Sequence, residues 1–468
     1  RLRLIPAVFV AFSTTAEHTM NKKFITLAVA AALAAPGLAS AEAIIYGKVH
    51  VSLDYADVKN VITPTFGVQR DANGDVVLGP DGYPIPIQLT PGEDFKGWGM
   101  SGNGYIPGVN RASRLGFKGS EDLGNGLKAI YQVEFGINLN DTNNNVLSNS
   151  DSITYRNTFV GLAGNWGTFL MGRHDTPMKI STGKLDLFAD TMADYNGTIG
   201  FRDLRADNAV AYISPSWSGF QLAAAVVPAG GATGGGQGLN LNEDSIANTW
   251  SIAAIYSNGP FYASAAFENL NNEHFNSQTN SVFFSQCPYN DAVPPQPFDP
   301  AVDTGFQCNF QESDAQAYRF GLGLLDWNGF SLTAIYEHQD QFFSDRYRGA
   351  FDAATGAYIF DPTGPDEADL WQVQAGYAFG NAMVKAMYGS TSYDADQIFA
   401  ASRTGSISTS NIRQDLEGDR YTWAIGADYN FSKRTQAYML YTQVDDDLDE
   451  ISAGSQWSGF SLGMRHSF

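Results

Sequence analysis

The chain has 468 residues, 49 acidic against 28 basic side chains for a formal charge of −21, 13% aromatic residues and 48 glycines. It carries no basic stripe, which excludes nucleic acid as a partner. No apolar run beyond residue 41 approaches the ~18–20 residues that a membrane helix needs, so a helical membrane protein is excluded too. A transmembrane β-barrel stays open, because its strands carry only a weak alternating signal of ~10 residues each.

Residues 1–19 are read as upstream, untranslated sequence. From Met20 the chain runs Met20-Asn21-Lys22-Lys23, then an apolar stretch from Phe24 to Leu33, then Pro36, Gly37 and Ala39-Ser40-Ala41. A charged start, an apolar middle and an A-x-A site make a secretory signal peptide over 20–41, with cleavage expected after Ala41. Residues 42–468 are then a single exported domain.

Beyond that point one grammar repeats: an alternating segment, a tight Gly/Asn/Asp turn, a second segment, and a longer polar connection. Sixteen strands are expected, at 43–56, 110–120, 127–139, 152–163, 167–174, 205–214, 219–228, 248–257, 260–270, 315–326, 329–339, 368–379, 381–391, 419–430, 435–445 and 456–468. The tight turns, such as Gly124-Asn125-Gly126 and Asn328-Gly329, supply the positive φ that short hairpins require. In the last strand Phe460, Leu462, Met464, His466 and Phe468 alternate with Ser461, Gly463, Arg465 and Ser467. That is the period of a strand between two different environments. Pairing it with the first strand closes the sheet. Long connections fall on one side and short ones on the other. The expectation is all-β, a sixteen-stranded antiparallel barrel with short periplasmic turns and long outer loops.

Two connections, 57–109 and 271–314, are very long. The second holds Cys287 and Cys308, a disulfide candidate in an exported chain. Closing that loop contributes ~3 kcal/mol in the chain-entropy picture. The two thiols have no His pair nearby for a metal, and Arg70 to Asp75 lacks the further ligands of a calcium loop. No metal or cofactor is expected.

Catalytic signatures are missing: the chain has no G-x-S-x-G and no H-E-x-x-H, and His174 and Asp175 are neighbours that a strand sends to opposite faces. No enzyme is expected. A different set of residues stands out. Arg114 and Lys118 oppose Leu115 and Phe117 in parity, Arg156 opposes Tyr155 and Phe159, and Lys128 and Arg205 oppose the apolar set on their strands. A charge facing lipid at midplane costs ~2–4 kcal/mol, so these groups are expected to face the lumen. The third long connection, 175–204, carries Asp186, Asp190 and Asp194 beside Leu185, Leu187, Phe188, Met192, Ile199 and Phe201. Folded inward, it would bury the apolar set on the barrel wall and oppose carboxylates to the basic residues, a transverse field across the lumen.

The run Ser113-Arg114-Leu115-Gly116-Phe117-Lys118-Gly119-Ser120-Glu121-Asp122-Leu123-Gly124-Asn125-Gly126-Leu127-Lys128-Ala129 resembles the general, non-specific porins of Gram-negative outer membranes, of the neisserial and proteobacterial type. Ile45-Tyr46-Gly47-Lys48, Arg156 with Phe159-Val160-Gly161-Leu162, Gly167-Thr168-Phe169, Gly172-Arg173, the stretch Arg205 to Tyr212, and Arg465-His466-Ser467-Phe468 extend the likeness along the chain. The resemblance implies a homotrimer of sixteen-stranded barrels in the outer membrane, inserted by the barrel-assembly machinery among lipid and lipopolysaccharide. It implies passive diffusion of small hydrophilic solutes and ions past a third loop folded into the pore. By motif, Arg114, Arg156 and Arg205 look like the family's basic wall, with Lys118, Lys128 and Arg173 beside them, and Asp190 and Asp194 like its acidic loop pair, flanked by Asp186. The first and fifth loops exceed the family's usual length. They leave open a substrate-selective channel, or a surface adhesin or receptor acting through those loops.

Overall fold

The computed structural model describes residues 42–62, 65–74, 77, 86–101, 111–139, 153–228, 245–270, 307–308, 315–340, 347–352, 357–361, 367–394, 418–446 and 456–468. Barrel strands are numbered in chain order. The first group is β1 Glu42–Ile62, β2 Glu93–Met100, β3 Arg114–Gly124, β4 Leu127–Ile137, β5 Ile153–Gly164 and β6 Gly167–Asp175. Next come β7 Arg205–Ile213, β8 Phe220–Val227, β9 Thr249–Asn258, β10 Phe261–Leu270, β11 Ala315–Trp327 and β12 Phe330–Asp340. The last group is β13 Glu367–Phe379, β14 Ala382–Asp394, β15 Gly418–Asn430, β16 Thr435–Asp446 and β17 Trp457–Ser467. Two short helices, α1 Pro177–Thr182 and α2 Tyr195–Thr198, interrupt the connection between β6 and β7.

All seventeen strands form one antiparallel sheet that closes on itself. β17 pairs with β1 from Lys48↔Ser467 to Val58↔Trp457. Beyond that ladder, Gly47 and Phe468 exchange both backbone hydrogen bonds at 3.1 Å. A Cβ at Gly47 would sit 2.4 Å from the Phe468 ring, so the terminal aromatic lies where only glycine leaves room. The expected closure of the last strand on the first is therefore present. Seventeen strands still make a barrel sixteen strands around, because β2 and β3 lie end to end along one edge of β1. The outer half of β1 pairs with β2 and its inner half, Glu42 to Lys48, with β3.

One expectation is corrected. The composition of 57–109 suggests a loop, yet β1 continues to Ile62 and Glu93–Met100 returns as a strand. Pro- and Gly-rich flanks masked a short alternation in Phe95, Gly97, Gly99 against Lys96, Trp98, Met100. Between β2 and β3 serine hydroxyls replace the ladder: Ser52 N–H donates to Ser101 Oγ at 3.1 Å and His50 N–H to Ser113 Oγ at 2.9 Å. There Arg111 is buried, its Nη2 2.7 Å from Asp54 Oδ2 and its Nε donating to Ser52 Oγ at 2.6 Å.

The barrel is inverted relative to a soluble protein. Exposed positions along the strands include Tyr155, Val160, Leu322, Ile425 and Met439, a lipid-facing apolar set. Inward positions include Gln339, Gln372, Gln374, Thr391, Thr422 and Lys385, all buried. Trp166, Trp217, Trp327, Phe379 and Phe431 lie exposed near the tight turns, where an aromatic girdle meets the headgroup layer. At the β3–β4 turn Gly124, Asn125 and Gly126 take φ of +87°, +52° and +78°, the left-handed region that glycine and asparagine tolerate. Cys287 and residues 1–41 lie outside the described residues, as do residues 102–109 and most of the connection 271–314.

Candidate pore constriction

The third connection leaves β6 and travels along the inner wall. Its apolar side chains are the buried ones: Leu185, Phe188 and Ile199 are 0% exposed. The wall beneath has been cleared for them. A Cβ at Gly321 of β11 would lie 2.6 Å from Leu185 Cδ1, and one at Gly389 of β14 2.6 Å from Ile199 Cδ1. Likewise a Cβ at Gly459 of β17 would fall 2.4 Å from Met192 Sδ. Gly376 and Gly426 lie beneath Leu187 and Phe188 less tightly, an added Cβ falling 3.2 Å from a loop atom at each. Glycine inside a strand forfeits side-chain packing, and here the vacated space is the seat of the loop.

Polar side chains on β10, β12, β14 and β15 then hold the loop's backbone. Tyr262 donates to Ser181 O at 2.8 Å, Thr333 to Leu185 O at 2.8 Å, Lys385 to Leu187 O at 2.7 Å and Thr422 to Thr198 O at 2.8 Å. On the return limb Thr391 donates to Ile199 O at 2.5 Å and Arg319 to Arg202 O at 2.6 Å. These donors satisfy carbonyls that a buried loop would otherwise leave unpaired. The loop is therefore a fixed part of the lumen wall along most of its length.

Three loop carboxylates have three different settings. Asp190, at φ +62°, makes an ion pair with Lys48 of β1. Burial alone would raise the Asp190 carboxyl, but the Lys48 ammonium outweighs it and holds the group below its ordinary value. Asp194 turns into the loop, accepting from Asp190 N–H at 2.7 Å and Asn196 N–H at 2.9 Å. Asp186 accepts from Gln374 Nε2 and Phe188 N–H, each at 2.9 Å. The structure thus brings one of the three carboxylates to the opposite wall; the other two hold the loop's shape. Sequence spacing carried no sign of this, because all three are polar positions in one irregular segment.

Burial pushes the Asp186 carboxyl up to about 6, against the hydrogen bonds from Gln374 and the Phe188 and Tyr195 amides. Asp194 is raised as well, by burial and then by the charge on Asp186. A raised carboxyl takes up a proton on folding, so its contribution weakens as pH rises from 3.8 to about 6 and strengthens as pH falls through that window. The third loop should accordingly be steadier at pH 5 than at pH 7. Single-channel records should show fewer brief partial closures at pH 5, and Asp186→Asn should flatten that dependence. An unchanged dependence in the variant would assign it to other groups.

The predicted basic residues separate into a cluster and two outliers. Arg114 lies in register with Lys48, next to the Asp190 contact. Arg156 Nε donates to Glu134 Oε1 at 2.7 Å, and the same carboxylate accepts from Tyr46 Oη at 2.9 Å. Arg205 Nε lies 2.9 Å from Asp175 Oδ1 and 2.7 Å from Asn157 Oδ1. Lys118 has its ammonium 5.0 Å from the Tyr46 ring centroid. Arg173 is ion-paired with Asp207, beyond an irregularity in the β6–β7 ladder. Lys128 lies in register with Asp122 beside the β3–β4 turn, away from the others. Arg114 and Lys118 form no ion pair among the described residues, although the Arg114 charge adds to that of Lys48 on Asp190.

Sequence parity assigned Phe159 to the outer face with Tyr155, and the structure corrects this. The β4–β5 ladder slips between Val133 and Phe135, so Tyr155 stays exposed while Phe159 packs with the inward Leu170. An extra residue in one strand reverses every side chain beyond it. Sequence reasoning also missed Lys48, Glu134 and Arg319 as site residues. Lys48 shares its parity with His50, Ser52 and Asp54, a polar run that was the available signal.

A closed antiparallel barrel with lipid-facing apolar residues and charges across its lumen defines an outer-membrane channel. Residues 27–449 match the family described as Gram-negative porin, and the chain belongs to that family. It is 24% identical over 431 residues to the major outer membrane protein P.IA of Neisseria meningitidis serogroup A, covering 84% of this chain and 94% of that one. It is 27% identical over 261 residues to an outer membrane porin protein of Bordetella pertussis, a match spanning 54% of this chain and 60% of that protein. Among solved structures, the anion-selective porin from Comamonas acidovorans superposes with a TM-score of 0.54 at 19% identity, over 92% of this chain and all of that one. That likeness shows the fold. The protein is an outer-membrane porin, and its relatives are channels.

Proposed function

We propose that small hydrophilic solutes and ions cross passively through a water-filled pore that is narrowest between the third loop and the basic wall, and that anions pass preferentially. The observation that supports the preference is an imbalance of paired charge. Lys48, Arg156, Arg173 and Arg205 each have an ion-pair partner, whereas Lys118 has none among the described residues and Arg114 only shares the field of Asp190 with Lys48. Lys179 adds a further cation by sharing Asp175 with Arg205. The chain's overall negative charge acts little at this point, since salt screens charges beyond ~8–10 Å. Selectivity follows from pore width and local field, without a chemical step.

In a KCl gradient across a planar bilayer, the reversal potential should lie on the chloride side. Replacing Arg114 and Lys118 together with glutamate should move it toward potassium. A reversal on the potassium side for the unaltered protein would overturn the preference. The reading extends to a homotrimer in contact with lipid and lipopolysaccharide, inserted by the barrel-assembly machinery. Residues 20–41 are read as its cleaved signal peptide, residues 42–468 as its mature domain, and Cys287 and Cys308 as a disulfide pair.

A further inference from the structure

Apolar groups on the inner wall are mostly covered by the third loop. Met178 covers Ala253 and Ala266, Leu185 covers Ile255, and Phe188 packs with Leu440. Two inward clusters contain no residue of that loop: Ala206, Ala209 and Val227, all buried, and a second that carries an aromatic ring. Leu170, Ala211 and Ala225 lie on successive strands β6, β7 and β8, and Phe159 of β5 packs on them partly exposed. This cluster includes no residue of the third loop. Phe159 also meets the His174 ring edge-on, with centroids 5.2 Å apart. An aromatic ring left against water on the wall of a polar lumen forfeits the transfer free energy that burial would give.

The ring stands beside charge. Arg156 is three residues before it on the same strand, and Asn157, which binds Arg205, is two before it. Arg156 and Arg205 are both held through Nε, by Glu134, Asp175 and Asn157. Their terminal Nη groups have no partner among the described residues. A guanidinium fixed at Nε presents its Nη edge to a second oxyanion, and carboxylate is the group that matches that fork.

We infer that the pore holds an amphiphilic subsite for organic monocarboxylates, with the carboxylate on Arg156 and Arg205 and an apolar, preferably aromatic, body on Phe159, whose ring is seated on the buried Leu170. This rests on the anion preference proposed above and names the class of anion. Small inorganic anions meet the same arginines and gain nothing from the ring. Aromatic carboxylates reside longer, which selects them at low concentration and slows chloride while they are present.

The test is block of chloride current by benzoate and by acetate, with the reversal potential in KCl recorded on the same channels. Benzoate should block at lower concentration than acetate, and Phe159→Ser should weaken benzoate block about fivefold, the scale of one lost apolar contact, and leave acetate block unchanged. Phe159→Leu, which keeps the packing on Leu170, should fall between. Equal block by the two anions in the unaltered protein overturns the subsite whether or not the serine variant folds. Benzoate block insensitive to both substitutions overturns it too. A potassium-side reversal potential identifies failure of the anion reading itself; a chloride-side reversal with equal block identifies failure of the subsite alone.

Discussion

Replacing Arg319 with alanine should loosen the return limb of the third loop and destabilise the whole barrel. Arg319 is completely buried. Its guanidinium is ion-paired with Glu337, lies 2.8 Å from Asp203 Oδ1, and donates to Thr182 Oγ1 at 2.9 Å and to Arg202 O at 2.6 Å. One side chain thus ties α1, the return limb and β12 together. Removing it leaves the Glu337 carboxylate buried without its cation, an arrangement that costs about 3–5 kcal/mol. Lysine should not restore the site, because a single ammonium cannot reach four acceptors in the planar geometry of the fork. The measurements are the heat-modification midpoint of the folded barrel in detergent and the open-channel noise in bilayers. A lower midpoint with noisier openings is expected. A variant with the midpoint and noise of the unaltered protein would remove Arg319 from any role in holding the loop.

Filling the loop's seat should act from the other side. At Gly321 an added Cβ meets only side-chain atoms: Leu185 Cδ1 and Ser264 Oγ at 2.6 Å and Thr182 Cγ2 at 3.1 Å. Two of those atoms belong to the loop and one, Ser264 Oγ, to the neighbouring strand β10, with no backbone atom among them, so the clash falls mainly on the loop. Gly321→Leu should cost on the order of 1–3 kcal/mol of overpacking, relieved by lifting Leu185 and α1 into the lumen. Conductance should fall while the barrel still forms. Adding Leu185→Ala returns the space and should recover most of the conductance. Failure of the second substitution to rescue the first, with both proteins folded, would place the seat elsewhere.

The sequence was informative wherever a strand had to alternate between two environments. The final strand from Phe460 to Phe468 and the tight turns declared a closed barrel, because lipid on one side and water on the other impose a period of two. The same reason leads to the expectation that Arg114, Arg156 and Arg205 point inward. Alternation failed where register slipped. Phe159 changed faces at an irregularity in the β4–β5 ladder, and the strand Glu93–Met100 was hidden by the loop-like composition around it.

What the sequence by itself determined is the architecture and the membrane. Those follow from local rules: strand period and turn glycines. Only the tertiary structure decided which loop carboxylate reaches β1. Asp186, Asp190 and Asp194 are chemically alike in the sequence, and the loop's path alone aims Asp190 at Lys48, 142 residues distant along the chain. It also decided the meaning of Gly321, Gly376, Gly389, Gly426 and Gly459. Each reads as a weak point in its own strand, and together they form a cleared surface because five strands bring them behind one loop. Long-range juxtaposition has no period, so no pattern within a strand could have announced it.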